Sequence, residues 1–293
     1  MKSKVFTYAD DTTLIITAAT IEDLQTLAQS ELSNLISYFH ANNLVPNPTK
    51  TVYSIFYPRN SAQIQLTIGD NTLQQDPAAK LLGLMVQDDI KHHQTINSII
   101  KKLQPIIHSF KYANKLLPLR IMRELYYTHV YPHLIGNISI WGTNERSKTN
   151  IQPLFRTQKK IIRLVKNLPP RTHTNPIMTE LNILNIFNLY TLRVCLEMHP
   201  FIYPNLKEQP NRPEHNHNYT PVSHIHDYPT RYSLQEHQFI PNTAKRPTNT
   251  IEHFTAQYSE VWNSIPLEFR CLSSRDTFKT ALKLYLLEKQ KEQ

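Results

Sequence analysis

The sequence predicts an α+β protein on three observations. Strand-forming residues broken by an acidic turn open the chain, a long amphipathic pattern comes next, and from about residue 92 the apolar spacing turns helical. The opening reads as a β-hairpin: Val5, Phe6 and Thr7, then Ala9-Asp10-Asp11 as the turn, then the β-branched stretch from Thr12 to Thr17. Thr20 is a natural N-cap, with Glu22 and Asp23 in the first helical turn after it. Leu24, Leu27, Ala28, Leu32, Leu35, Ile36 and Phe39 then recur at helical spacing, which predicts a helix over 21–42. Short extended pieces are expected at Val52–Tyr57, Ile64–Ile68 and Leu81–Val86, with Gly69-Asp70-Asn71 as a turn.

Beyond these pieces the spacing predicts helices over 92–115, 118–134 and 148–168, the last stopped by Pro169-Pro170. Another is expected over 176–202. In the second, Tyr126, Tyr127, Tyr131 and Trp141 read as core or edge aromatics beside Met122, Leu125 and Leu134. The four glycines (Gly69, Gly83, Gly136, Gly142) all precede residue 143, so the second half is expected to make little use of positive-φ turns. Residues 204–250 are rich in proline and histidine and poor in aliphatics, and read as a disordered linker. Helices return over 252–262 and 274–290. The expected organisation is 1–90, 91–203, 204–250 as linker, and a helical tail over 251–293.

With 293 residues, 40% of them apolar and 19% charged, the chain can build a sizeable core, and wholesale disorder is excluded. Cys195 and Cys271 are too few for a disulfide framework or a four-ligand zinc site, and they read as packing residues of a reducing interior. No apolar run nears the roughly 18 residues of a membrane span, and the start carries acids where a signal peptide needs apolar residues. An intracellular protein, in nucleus or cytoplasm and with no membrane partner, is expected.

The net charge of +9 is unevenly spread. Residues 1–100 carry 6 basic against 9 acidic side chains, 101–171 carry 14 against 2, and 172–293 carry 12 of each. A basic field concentrated in one block attracts polyanions, above all nucleic acid, although a solvated basic helical surface would have the same composition. Within the block, Arg156, Lys159, Lys160, Arg163 and Lys166 share one face of the expected 148–168 helix. Leu154, Phe155, Ile161, Ile162, Val165 and Leu168 take the other. The basic face suits phosphates of a nucleic-acid backbone. His215, His217, His224 and His226 form two H-x-H pairs, but lack the apolar support that would fix zinc geometry, and read as part of the linker.

Asp10 and Asp11 place adjacent carboxylates at the expected hairpin tip. Like charges there call for a cation, and a hard ion such as Mg²⁺ suits oxygen ligands, though Asp-Asp is also ordinary turn chemistry. Tyr8-Ala9-Asp10-Asp11 between two strands resembles the palm hairpin of reverse transcriptases. Asn43-Leu44-Val45-Pro46-Asn47-Pro48-Thr49-Lys50-Thr51 is similar to the "GLxLNxxKT" stretch of polymerases from retroelements without long terminal repeats. Lys80-Leu81-Leu82-Gly83-Leu84 with His92 or His93 resembles their "LGxxxD…H" segment. Val261-Trp262-Asn263-Ser264-Ile265-Pro266 with Phe278-Lys279 resembles their "WNsLP…FK" close. In order and across nearly the whole chain, these motifs resemble the reverse transcriptases of non-LTR, jockey-like retrotransposons.

The resemblance implies a partial reverse-transcriptase palm over 1–90 and a mostly helical, basic, thumb-like region after it. It implies that Asp10 is the main Mg²⁺ ligand and Asp11 a second, that Tyr8 lies beside primer end and nucleotide, and that Lys50 gives a proton to the leaving pyrophosphate. A plain surface lysine is the alternative at Lys50. The family's other metal-binding aspartate lies some tens of residues before this motif, whereas only seven residues precede Tyr8 here. Asp70, Asp76, Asp88 and Asp89 lie beyond the palm elements and do not replace it. The expectation is an RNA-directed DNA polymerase by descent, a C-terminal fragment inactive alone. Its expected partners are RNA template and DNA primer, with dNTP only if the missing palm and fingers are supplied. The alternatives are a non-catalytic nucleic-acid-binding remnant of a mobile element and an inert element product.

Overall fold

The computed structural model describes residues 3–56, 64–87, 92–145, 148–203, 238–239 and 250–292, with the backbone alone at 250–256. Helices and small two-stranded sheets make it α+β. The expected linker, with His215, His217, His224 and His226, lies almost wholly outside the described residues, as do Asp88 and Asp89. The chain divides into two compact units, Met1–Gln94 and Thr95–Gln293.

In the first unit, β1 (Ser3–Tyr8) and β2 (Asp11–Ile16) form the antiparallel hairpin, Ser3 facing Ile16 and Tyr8 facing Asp11. The loop is therefore Ala9-Asp10 alone, with Ala9 at φ +52°, and Asp11 already belongs to β2. Helix α1 (Ile21–Ala41) starts where Thr20 accepts from the Asp23 amide at 3.1 Å. Beyond it come β3 (Val52–Tyr53), β4 (Thr67–Ile68), β5 (Asn71–Thr72), β6 (Gln74–Gln75), β7 (Ala78–Leu81) and β8 (Leu84–Gln87). β3 pairs parallel with β6, and β4 and β5 form a hairpin across Gly69-Asp70. β7 and β8 form another across Leu82-Gly83, both at positive φ as the twist of a two-residue hairpin loop demands.

Ala28 and Leu32 of α1 pack on Ile55, Ile64, Leu66, Ile68 and Leu73. The Gln29 amide completes the contact by donating to the Thr67 carbonyl at 3.0 Å and accepting from its amide at 2.9 Å. Ser3, donating to Glu31 at 2.9 Å, ties the base of the hairpin to α1.

In the second unit, α2 (His93–Ala113) leads to α3 (Leu119–Leu125), a π-helical turn (Tyr126–Val130), α4 (Tyr131–Ile135) and α5 (Ile138–Trp141). The single helix expected over 118–134 is interrupted because Pro132 has no amide and its ring crowds the carbonyl four residues back. The preceding turn loosens, and the Tyr131 amide reaches Tyr126. Helix α6 (Gln152–Val165) is next, then α7 (Asn175–Glu180), α8 (Ile186–Ile202), α9 (Thr250–Asn263), α10 (Leu267–Arg270) and α11 (Arg275–Lys291). Tyr126, Met122, Leu134 and Trp141 are buried, and Tyr127 and Tyr131 are half-buried at the edge. Cys195 is buried, but Cys271 caps the short α10 and is exposed, which corrects its expected packing role.

The expected helix over 176–202 is two helices. Asn182 at φ +58° ends α7, and Asn185 caps α8 by accepting from the Asn188 amide at 2.9 Å. Asn167 also takes positive φ, so the second half does use such turns, with asparagine where glycine was sought. The backbone from Leu181 to Ile186 is held by distant side chains. Arg123 Nε donates to Leu181 O at 2.7 Å, Tyr127 Oη to Asn182 O at 2.6 Å, Gln290 Nε2 to Ile183 O at 2.9 Å and Gln158 Nε2 to Leu184 O at 3.0 Å. Gln290 Oε1 accepts from the Asn185 amide and Gln158 Oε1 from the Ile186 amide.

Helices α9 and α11 pack on α8, so the residues expected as a tail belong to this core. Val261, Trp262, Ile265 and Phe278, the apolar residues of the terminal motif, are buried. Trp262 and Phe278 flank the His199 ring, while Asn263 exchanges two hydrogen bonds with the Phe239 backbone.

Candidate nucleic-acid interface

The carboxylates of Asp10 and Asp11 stand at the hairpin tip, both exposed. Residues directly opposite across an antiparallel pair point to one face, so Tyr8 and Asp11 share a face while Asp10 projects from the loop. Tyr8 is 67% exposed, and Val5, Phe6 and Ile15 along the same hairpin are about half exposed. A divalent magnesium ion takes one or two carboxylates and fills its other positions with water and phosphate oxygens. Asp10 and Asp11 fit one such ion by donor type. Among the described residues no group of three metal-binding side chains forms, so the hairpin offers two carboxylates rather than a set for two metals.

Lys50 lies in a separate turn. Asn47 Oδ1 accepts from the Thr49 amide at 3.0 Å and its hydroxyl at 2.7 Å, and Asn47 O accepts from the Lys50 amide at 3.2 Å. The turn presents Lys50 to solvent. Among the described residues no ion pair or hydrogen bond joins the Lys50 side chain to Asp10 or Asp11.

The basic face of α6 forms as spaced but is divided in its use. Arg156 and Lys160 are exposed. The Lys159 ammonium lies 4.2 Å from the centre of the Phe155 ring, Arg163 Nε donates to Thr172 O at 2.9 Å, and Lys166 pairs with Glu180. All three are half-buried; Arg163 and Lys166 tie α6 to its surroundings, while Lys159 lies over a ring of its own helix. The exposed pair is the part most open to phosphates.

Two further groups of cations come together that no single stretch of sequence announces. His133 lies near Lys102 of α2 and His129, and burial, then these two neighbours, hold its imidazole below its ordinary value. On α11, burial and then the charges of Arg123 and Lys279 hold the Lys283 ammonium below its ordinary value. The only signal for either was the charge of the separate segments. Among the described residues no helix is long and apolar enough to cross a membrane.

No family model matches the chain, and neither does any curated protein or solved structure.

Proposed function

We propose that the chain descends from the RNA-directed DNA polymerases of non-LTR retrotransposons, with a partial palm in its first unit and a thumb-like region in its second. The observation that carries this reading is the two-residue hairpin with Asp10 and Asp11 at its tip, succeeded by α1 and by the ordered motifs at Lys50, Gly83 and Trp262. Bound Mg²⁺ would offset negative charge on the nucleotide phosphates and orient them for in-line displacement. Asp10 and Asp11 would hold it. The Tyr8 ring, on the Asp11 face, would lie against the primer end, and Lys50 would give a proton to the leaving pyrophosphate.

Primer extension on an RNA template tests this. Mg²⁺-dependent incorporation should appear when the chain is supplied with an upstream palm and fingers segment, and Asp10→Ala should abolish it. Incorporation that survives Asp10→Ala overturns the catalytic assignment.

The exposed cations of the basic second unit favour a second reading, a nucleic-acid-binding remnant without catalysis. It predicts salt-dependent binding of an RNA–DNA hybrid by the chain alone, with or without Asp10.

A further inference from the structure

Helix α2 buries one side and leaves rings and cations on the other. Ile96, Ile99, Leu103, Ile107 and Phe110 place its apolar stripe in the core. On the opposite side Lys101, Pro105, His108 and Tyr112 recur at i, i+4, i+7 and i+11, all exposed, with Lys111 beside them. The His108 and Tyr112 rings meet edge to face, with centres 5.2 Å apart, and Tyr112 is still 61% exposed. Their contact restrains both rings without taking them out of water.

The helix ends in a turn in which the Lys115 amide donates to Tyr112 O at 3.2 Å and the Leu117 amide to Ala113 O at 2.8 Å. Asn114 Nδ2, donating to Asn167 Oδ1 at 3.4 Å, ties this turn to the end of α6. The turn leaves Leu116 83% exposed.

Charge selects what such a surface can receive. From Lys101 to Arg123 the sequence has six basic side chains and no acidic one. Among the described residues Lys101, Lys102, Lys111 and Lys115 form no ion pair. Exposed rings and a leucine set among such cations suit a partner that joins negative charge to flat apolar surface. Single-stranded nucleic acid is that partner, because its phosphates can follow the lysines while its unpaired bases stack on the rings. The row from Lys101 to Tyr112 spans about 16 Å of helix, so one strand can touch both rings and the lysines around them. An anionic bilayer fits less well. Interfacial binding needs an apolar helix face turned outward, and α2 turns that face into the core.

We propose that the exposed row of α2, with His108 and Tyr112 as its stacking residues and Leu116 at its end, binds single-stranded nucleic acid. The proposal rests on the nucleic-acid-binding reading of the second unit, and adds to it a strand type and a site apart from the α6 face.

Binding by the full chain is measured with three labelled probes of one length: a single-stranded oligonucleotide, the same backbone without bases, and an RNA–DNA hybrid. The wild type should bind the base-bearing strand about tenfold more tightly than the abasic one. His108→Ala with Tyr112→Ala should lose that preference at unchanged salt slope, and Tyr112→Phe should keep it. Lys101→Gln with Lys111→Gln should instead weaken both single strands together. Tyr38→Ala, which removes an equally exposed ring from the first unit, should leave the preference intact. The substituted positions are exposed, so an unchanged melting temperature separates lost stacking from lost folding.

A wild type that binds the hybrid but treats the two single strands alike overturns the stacking site and leaves the nucleic-acid-binding reading standing. A preference that survives in the His108/Tyr112 double variant also overturns the site. A wild type that binds none of the three probes overturns the proposal and that reading together. Binding to phosphatidylserine vesicles that Leu116→Ser abolishes, with no base preference, overturns the proposal and assigns the tip to a membrane surface.

Discussion

Gln158 ties α6 to the π-helical turn and to the start of α8. Wholly buried, it donates to Leu184 O and to Tyr126 Oη at 3.1 Å and accepts from the Ile186 amide at 2.9 Å. Leucine would fill much of the same volume and leave those buried groups unpaired, at about 1–3 kcal/mol for each stranded group. Gln158→Leu should therefore cost about 3 kcal/mol or more, read as a lower urea midpoint with little change in slope. His199 is buried in a different way. Its Nε2 donates to Leu272 O at 2.9 Å, while Nδ1 has no hydrogen-bond partner among the described residues. Burial holds the imidazole below its ordinary value of 6.5, so the unfolded chain takes up a proton that the folded chain resists. The stability it contributes is complete above about pH 6.5 and is lost as the pH falls from there towards the folded value. Melting temperature should drop across that window, and His199→Phe should flatten the drop, leaving the part due to His133. A slope unchanged in His199→Phe would assign the drop to other groups.

At the scale of elements, α6 shows what periodicity can and cannot say. Its apolar face was legible because every buried position recurs at helical spacing, and Leu154, Ile161, Ile162 and Val165 are in the core. The use of its basic face was not, because Thr172 O and Glu180, which take Arg163 and Lys166, come from segments whose approach the pattern does not encode. The helix should accordingly split under mutation. Arg156→Gln with Lys160→Gln should lower hybrid affinity and flatten its salt slope at unchanged melting temperature, whereas Arg163→Ala should lower the melting temperature. Binding and melting measured side by side check both halves. Helix α1 was legible to within a residue because its cap, acidic first turn and apolar stripe are all local. The break between α7 and α8 was written in Asn182 and Asn185 but outweighed by the continuous apolar run around them. Only distant partners make an open backbone tolerable in a buried place. The hairpin was legible as a whole, while its loop is one residue shorter than expected because Ala9, not a glycine or asparagine, takes the positive φ of a two-residue turn.

Across the whole molecule, the two units differ in what protects them. The core of the first is one helix face against short strands, with β1 and β2 largely solvent-facing, whereas α8 in the second is buried along most of its length. Local opening is easiest where buried apolar contact is sparse, so amides of the hairpin should exchange with deuterium much faster than those of α8. Peptide-resolved exchange checks this; equal protection would mean that the hairpin is covered in solution. The clasp on the Leu181–Ile186 backbone has a consequence for the order of synthesis. Asn185 waits for Gln290, 105 residues later, which at about 5–20 residues per second is roughly 5 to 20 s on a translating ribosome. For that interval Arg123, Tyr127 and Gln158 are already made but the Gln290 half of the clasp is missing, so the nascent second unit depends on late-arriving residues and is most open to chaperones and proteases before α11 emerges.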